Sequence, residues 1–276
     1  MNPLEVLQAV KISRAAELLY WSRKSQTRLQ SLPPDLIPRD LQEAYDIQLA
    51  VALLGATPNT GFKLGLTSEA AQRAADTFEP IVGRLGSLDI RRSGATIELP
   101  RHHLRIVEAE VIFELGTDLS AAHGPFSEQR VRASLSRAFA GIELCNTRFD
   151  TSIEPSLPCL VADNSNADLI VVGEALTEED IDALSNLSVT LQCSGKPHIK
   201  GSTQKVLGNP LRAVTWLANW LASRGENLKR GQMISSGSCT GMNEAAADDI
   251  VVATFGSGAQ VCVELALGSR QDGVKL

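Results

Sequence analysis

The chain has 276 residues, of which 43% are hydrophobic and 21% charged, with 26 Lys and Arg against 32 Asp and Glu for a formal net charge of −6. That length and balance fit one large globular domain, or a core with a small appendage. They argue against a nucleic-acid partner, because the basic residues gather no further than the pairs Arg91-Arg92 and Lys229-Arg230.

No run approaches the ~20 apolar residues of a spanning helix, and Met1-Asn2-Pro3-Leu4-Glu5 carries no basic lead into an apolar stretch. No membrane segment or secretory leader is therefore expected. Five widely spaced cysteines (Cys145, Cys159, Cys193, Cys239 and Cys262) form no CxxC pair. They read as buried, reduced thiols of a cytoplasmic protein.

In chain order, residues 3–30 contain no Gly and no Pro after Pro3, and they place apolar residues at helical spacing from Leu4 to Leu19. Pro33-Pro34 stop that helix, and Asp40-Leu41-Gln42-Glu43 reads as a capping box that opens a second helix to Leu54. Residues 1–55 thus read as a helical segment and 56–276 as a mixed-β catalytic domain. Beyond Gly55 the strand-length apolar runs are 62–66, 106–115, 169–172, 189–192, 250–254 and 260–265. Three helices are interpolated: 127–139, one after Thr177-Glu178-Glu179-Asp180, and one from Asn209-Pro210 to Gly225. The absence of a regular βαβ alternation favours an α+β fold.

The most informative stretch is Ile106-Val107-Glu108-Ala109-Glu110-Val111-Ile112-Phe113-Glu114-Leu115. As a strand it has one wholly apolar face of odd positions, with Glu108, Glu110 and Glu114 on the other. Same-face carboxylates about 6.5–7 Å apart repel unless solvated, protonated or neutralised. Two readings follow. The acidic face is the wet side of an antiparallel sheet, or Glu108 and Glu110 are oxygen ligands for Mg²⁺ or Mn²⁺. Glu143, set between Ile142 and Leu144, is the candidate third ligand.

Several blocks in order give the chain its resemblance to a known family. They are Gly61-Phe62-Lys63-Leu64-Gly65-Leu66-Thr67-Ser68, Phe78-Glu79-Pro80-Ile81-Val82-Gly83-Arg84-Leu85, Glu108-Ala109-Glu110 and Gly141-Ile142-Glu143. They continue with Val161-Ala162-Asp163-Asn164, Leu207-Gly208-Asn209-Pro210-Leu211 and Gly231-Gln232-Met233-Ile234-Ser235-Ser236-Gly237-Ser238. With these, the sequence resembles the fumarylacetoacetate hydrolase superfamily, in its branch of 2-oxopent-4-enoate hydratases and 4-oxalocrotonate decarboxylases. The resemblance implies a mixed β-roll or sandwich core with an N-terminal helical segment. It also implies a facial set of Glu108, Glu110 and Glu143 on Mg²⁺ or Mn²⁺.

By the same resemblance Lys63 is the active-site lysine. Glu79 stands where hydratases commonly carry an Asp and could serve as acid/base if partly buried. Leu66, Thr67, Asp163, Asn164 and Ser238 would bind the substrate, a small 2-oxo or 2-hydroxy-dienoic acid. The expected reaction is hydration, with decarboxylation of a 2-oxo-hexenedioate or a non-catalytic partner subunit as alternatives. A homo-oligomer is implied, with a related decarboxylase or hydratase as a possible complex partner. An anionic substrate beside three carboxylates would want Lys63 or Arg84 nearby.

The residues alone also permit plainer roles. Lys63 can be a snorkelling surface lysine, Glu79-Pro80 a turn entry, Asp163-Asn164-Ser165 an Asx turn, and Ser236-Gly237-Ser238 a turn. Carbon–carbon bond hydrolases of the superfamily pair a His with a Glu, but the block around Glu79 has no His and His102-His103 read as surface or turn residues. Gly256-Ser257-Gly258 lacks the third glycine and the following helix of a dinucleotide fingerprint.

Overall fold

The computed structural model describes residues 2–99, 106–150, 152 and 154–268; His102 and His103 lie outside them. Helix α1 (Pro3–Ser25) starts at a reciprocal cap, in which the Glu5 backbone N–H donates to Asn2 Oδ1 and the Asn2 N–H donates to the Glu5 carboxylate. Leu4, Leu7 and Val10 are exposed, and the buried face begins only at Ala15. Helix α2 (Leu41–Leu54) is capped by Asp40, which accepts from the Glu43 N–H at 2.8 Å. Glu43 does not complete the expected box. Its buried carboxylate accepts from Lys11 and Arg39 instead.

Beyond these helices come β1 (Asn59–Gly65), α3 (Glu69–Ala74), β2 (Ile81–Gly86), β3 (Ile90–Arg92), β4 (Ala95–Leu99) and β5 (Ile106–Leu115). They are followed by α4 (Glu128–Arg132), β6 (Leu135–Cys145), α5 (Leu157–Ala162), β7 (Ala167–Ala175), α6 (Glu178–Asp182), β8 (Ser188–Cys193) and β9 (Ile199–Ser202). The last elements are α7 (Pro210–Ser223), β10 (Met233–Ser238), β11 (Asn243–Glu244), β12 (Ile250–Phe255) and β13 (Ala259–Leu267). One sheet runs β2-β1-β10-β5-β6-β7-β3, with β11 also on β5, and the second runs β4-β13-β12-β8-β9. The architecture is the expected α+β mixed roll.

The expectation of a helix over 127–139 is corrected. Only Glu128–Arg132 is helical, and Leu135–Cys145 is a central strand between β5 and β7. Val131, Leu135, Ala138 and Ile142 recur at intervals of four, three and four, which mimics a helical stripe. Pairing with two neighbouring strands overrides that local pattern. Ser236-Gly237-Ser238 likewise ends a strand, not a turn.

The odd face of β5, with Val107, Ala109, Val111, Phe113 and Leu115, is buried in an apolar cluster shared with β12, β13 and both N-terminal helices. The opposite face is not wet. Leu85 of β2, Ile112 of β5 and Ile170 of β7 form a second small cluster, although four strands lie between β2 and β7 in sheet order. The large sheet therefore curls, with the even face of β5 inside the curl.

A short segment closes the curl. Asn164 accepts from the Arg84 backbone N–H at 2.8 Å and donates to the Arg84 carbonyl at 2.9 Å. Ser165 Oγ donates to the Val82 carbonyl at 2.8 Å, and Gln48 of α2 donates to the carbonyls of Val82 and Val161. Between the two sheets, a Cβ on Gly173 would collide with Gln260 O and Val261 Cβ. Gly173→Ala is expected to cost about 1–3 kcal/mol by overpacking this contact. Urea unfolding measures the loss, and an unchanged midpoint would contradict the close approach.

Candidate metal centre

Strand register brings the acidic residues together. Across β5 and β6, Glu108 is directly opposite Glu143, and Glu110 is opposite Gly141. Residues opposite in an antiparallel pair share a face, so all three carboxylates point into the curl. Gly141 leaves the space that the Ile112 side chain occupies. Glu110 and Glu143 are each 1% exposed, and Glu108 is half-buried.

Two strands away, Lys63 enters from β1. It is 4% exposed, and its Nζ is 3.1 Å from Glu143 Oε1. The surface-lysine reading is thereby excluded. Gly83 lies opposite Lys63 on β2, where a Cβ would be 2.9 Å from Lys63 Cγ and 2.6 Å from the Asn164 carbonyl. Burial alone would discharge the ammonium, but Glu143, Cys145, Glu108 and Glu110 together outweigh it, so Lys63 is held protonated.

Glu110 Oε2 accepts from Ser235 Oγ at 2.6 Å and from the Gly237 N–H at 2.9 Å. Its Oε1 has no hydrogen-bond partner, and neither has Glu143 Oε2, whereas Glu143 Oε1 is held by the Lys63 ammonium. Burial pushes the Glu110 carboxyl far up, and the charges of Glu143 and Glu108 add to it. Burial also raises Glu143, against the opposing pull of Lys63. Orphaned carboxylate oxygens in an acidic, buried cluster are the donor set a hard divalent cation takes, so the residues fit such an ion.

The other expected residues divide. Thr67 is buried against Gly237, whose N–H donates to Glu110, and Leu66 precedes it with a left-handed φ of 53°. Ser238 is opposite Glu110 in register, and its Oγ accepts from the Gly241 N–H at 2.9 Å. Asp163 is no free substrate ligand. It accepts from the Arg148 guanidinium and backbone N–H and from Thr147 Oγ1, forming a buried ion pair. Asn164 is equally committed, to the Arg84 backbone.

Arg84 pairs with Phe62, one residue out of phase with Lys63, so it points out of the curl, where it binds Glu226 at 2.7 Å. Glu79 is exposed and lacks the burial that an acid/base role asked of it. The residue the sequence reading missed is Cys145, whose Sγ donates to Glu108 Oε2 at 3.3 Å. Its place two residues after Glu143 on β6 was the available signal.

No family model matches the sequence. The TodF product hydratase of Pseudomonas putida is 31% identical over 258 residues, 91% of this chain and 93% of that protein. A 4-oxalocrotonate decarboxylase of a Pseudomonas species is 28% identical over 233 residues, 84% of this chain and 89% of the other. Among solved structures, 4-oxalocrotonate decarboxylase from Pseudomonas putida G7, complexed with magnesium and adipate, superposes with a TM-score of 0.84 at 24% identity, over 93% of this chain and 98% of that one.

Fold and relatives together define a lyase of the fumarylacetoacetate hydrolase type. The chain belongs to the branch of that superfamily made up of 2-oxopent-4-enoate hydratases and 4-oxalocrotonate decarboxylases. No helix among the described residues is long and apolar enough to cross a membrane.

Two outcomes are expected. Removing the carboxylate from the Arg148 pair by Asp163→Ala should cost about 3–5 kcal/mol, because a buried guanidinium is left uncompensated; an unchanged urea midpoint would exclude the pair as structural. The second concerns pH. A carboxyl whose pKa rises on folding stabilises the fold in its protonated form, and loses that contribution as pH climbs above the unfolded value of about 4.3. In the presence of a chelator, Glu110→Gln should therefore raise the melting midpoint at pH 8 and leave it unchanged near pH 4. Equal effects at both would refute the charge burial.

Proposed function

We propose that this chain is a hydratase that adds water to a 2-hydroxy-2,4-dienoate of the 2-oxopent-4-enoate type to give a 4-hydroxy-2-oxo acid. Glu108, Glu110 and Glu143 would hold Mg²⁺ or Mn²⁺. The observation that carries this reading is the pair of buried, unpartnered oxygens, Glu110 Oε1 and Glu143 Oε2, beside Glu108 and next to the Glu143–Lys63 ion pair. Relatives named as hydratases, at 31% identity across most of the chain, support the choice of reaction.

A divalent ion bound there supplies a Lewis acid for the negative charge that develops on the substrate's C2 oxygen. The chain's own residues do the rest. Ser235 and the Gly237 N–H fix Glu110 so that its second oxygen faces the cluster. Lys63 holds a fixed positive charge, which orients an anionic substrate and steadies the same developing oxygen charge. Thr67 walls the site beside Gly237, whereas Leu66 packs against the main apolar cluster. Glu79 has no part in this reading.

Decarboxylation of a 2-oxo-hexenedioate is the second reading, favoured by the named decarboxylase relative. Its substrate carries a second carboxylate. Lys63 is the cation that acts on this cluster among the described residues, and Arg84 faces the other way. That single charge suits a monocarboxylate better.

Loss of dienol absorbance, followed in parallel with CO₂ release, separates the two. Glu108→Gln and Glu143→Gln should each lower hydration at least ~100-fold, equivalent to about 2.7 kcal/mol, and chelation should do the same. Full turnover in the presence of a chelator would end the metal-dependent reading.

A further inference from the structure

Cys145 differs from the other buried cysteines. Cys159, Cys193 and Cys239 belong to the main apolar cluster, as buried thiols usually do, whereas Cys145 belongs to neither apolar cluster. It sits two residues from Glu143 on the same face of β6, and its thiol meets Glu108 Oε2 at 3.3 Å. One donor atom each from Glu108, Glu143 and Cys145 lies within 4.8 Å of the others. The second observation is Glu143 itself, 1% exposed, whose Oε1 is held by Lys63 Nζ while its Oε2 is buried without a hydrogen-bond partner.

A tetrahedral ion with metal–sulfur bonds of about 2.3 Å and metal–oxygen bonds of about 2.0–2.2 Å needs donors roughly 3.5 Å apart. Small side-chain rotations would meet that. Glu110, by contrast, is pinned by Ser235 and Gly237. Hard ions such as Mg²⁺ avoid sulfur, whereas thiolate selects softer ones.

We infer that Glu108, Glu143 and Cys145 form a mixed sulfur–oxygen site for a thiophilic divalent ion of the Zn²⁺, Cd²⁺ or Co²⁺ kind. It rests on the proposed function only in sharing Glu108 and Glu143 with the all-oxygen set. On ligation the thiol gives its proton to solvent and the sulfur lone pair forms the bond to the ion. The two ligand sets overlap, so a thiophilic ion competes with Mg²⁺ or Mn²⁺ for one centre.

The test uses the metal-stripped full chain with Co²⁺, Cd²⁺ and Mn²⁺ as probes. Co²⁺ should give an intense sulfur-to-metal charge-transfer absorption in the near ultraviolet, lost in both Cys145→Val and Cys145→Ser. Cd²⁺ affinity by calorimetry should fall at least ~10-fold in either variant, while Mn²⁺ affinity by electron paramagnetic resonance changes less than about twofold. Melting curves establish that each variant folds, and a misfolded one leaves the decision to the other and to the wild-type Co²⁺ spectrum. Co²⁺ bound without that absorption, an absorption that survives both substitutions, or no Co²⁺ binding would overturn the sulfur ligand. Failure of Mn²⁺ to bind the wild type would instead strike the all-oxygen reading.

Discussion

Two like charges placed in register inside a curled sheet set the terms for everything around them. Glu108 and Glu143 lie directly opposite on neighbouring strands, with Glu110 one row away. At about 5 Å and an effective dielectric constant near 20, one such pair costs about 3 kcal/mol, more than the roughly 0.2–1 kcal/mol a favourable cross-strand pair returns. The fold keeps the pair because Lys63 lies against Glu143 and donors from β10 hold Glu110. A doubly charged ion together with Lys63 would neutralise three carboxylates. The arrangement is thus costly alone and balanced when filled.

Enclosure of that cluster depends on residues far from it in sequence. The Asn164–Ser165 segment bonds the backbone of β2, and Gln48 of α2 ties β2 to α5, so the sheet's ends meet around the acids. The Arg148–Asp163 ion pair anchors this segment from behind. The N-terminal helices therefore help to shape the centre without contributing a ligand to it.

The acidic strand was legible because its elements agree. β5 spans Ile106–Leu115, the run marked by its alternation, and its acidic face lies where period-two spacing places it. Helix α7 was equally plain from Asn209, Pro210 and its apolar stripe. The β6 strand was hidden because its apolar residues also fit helical spacing, and only its two neighbours decide between them. Asp163 and Asn164 stood in a motif that resembles a site, yet their polar atoms are spent on structural partners that no local pattern reveals. Cys145 was passed over because a solitary thiol is ordinarily packing, and its acidic surroundings exist only once β5 and β6 pair.

The missing side chain at position 83 has a consequence for the amino group it faces. With the Lys63 stem running close over the Gly83 backbone and Asn164 O near the same point, even a methyl group at position 83 would push the lysine aside. The reach of that cation to the acidic centre thus depends on a neighbouring strand carrying no side chain where the two cross.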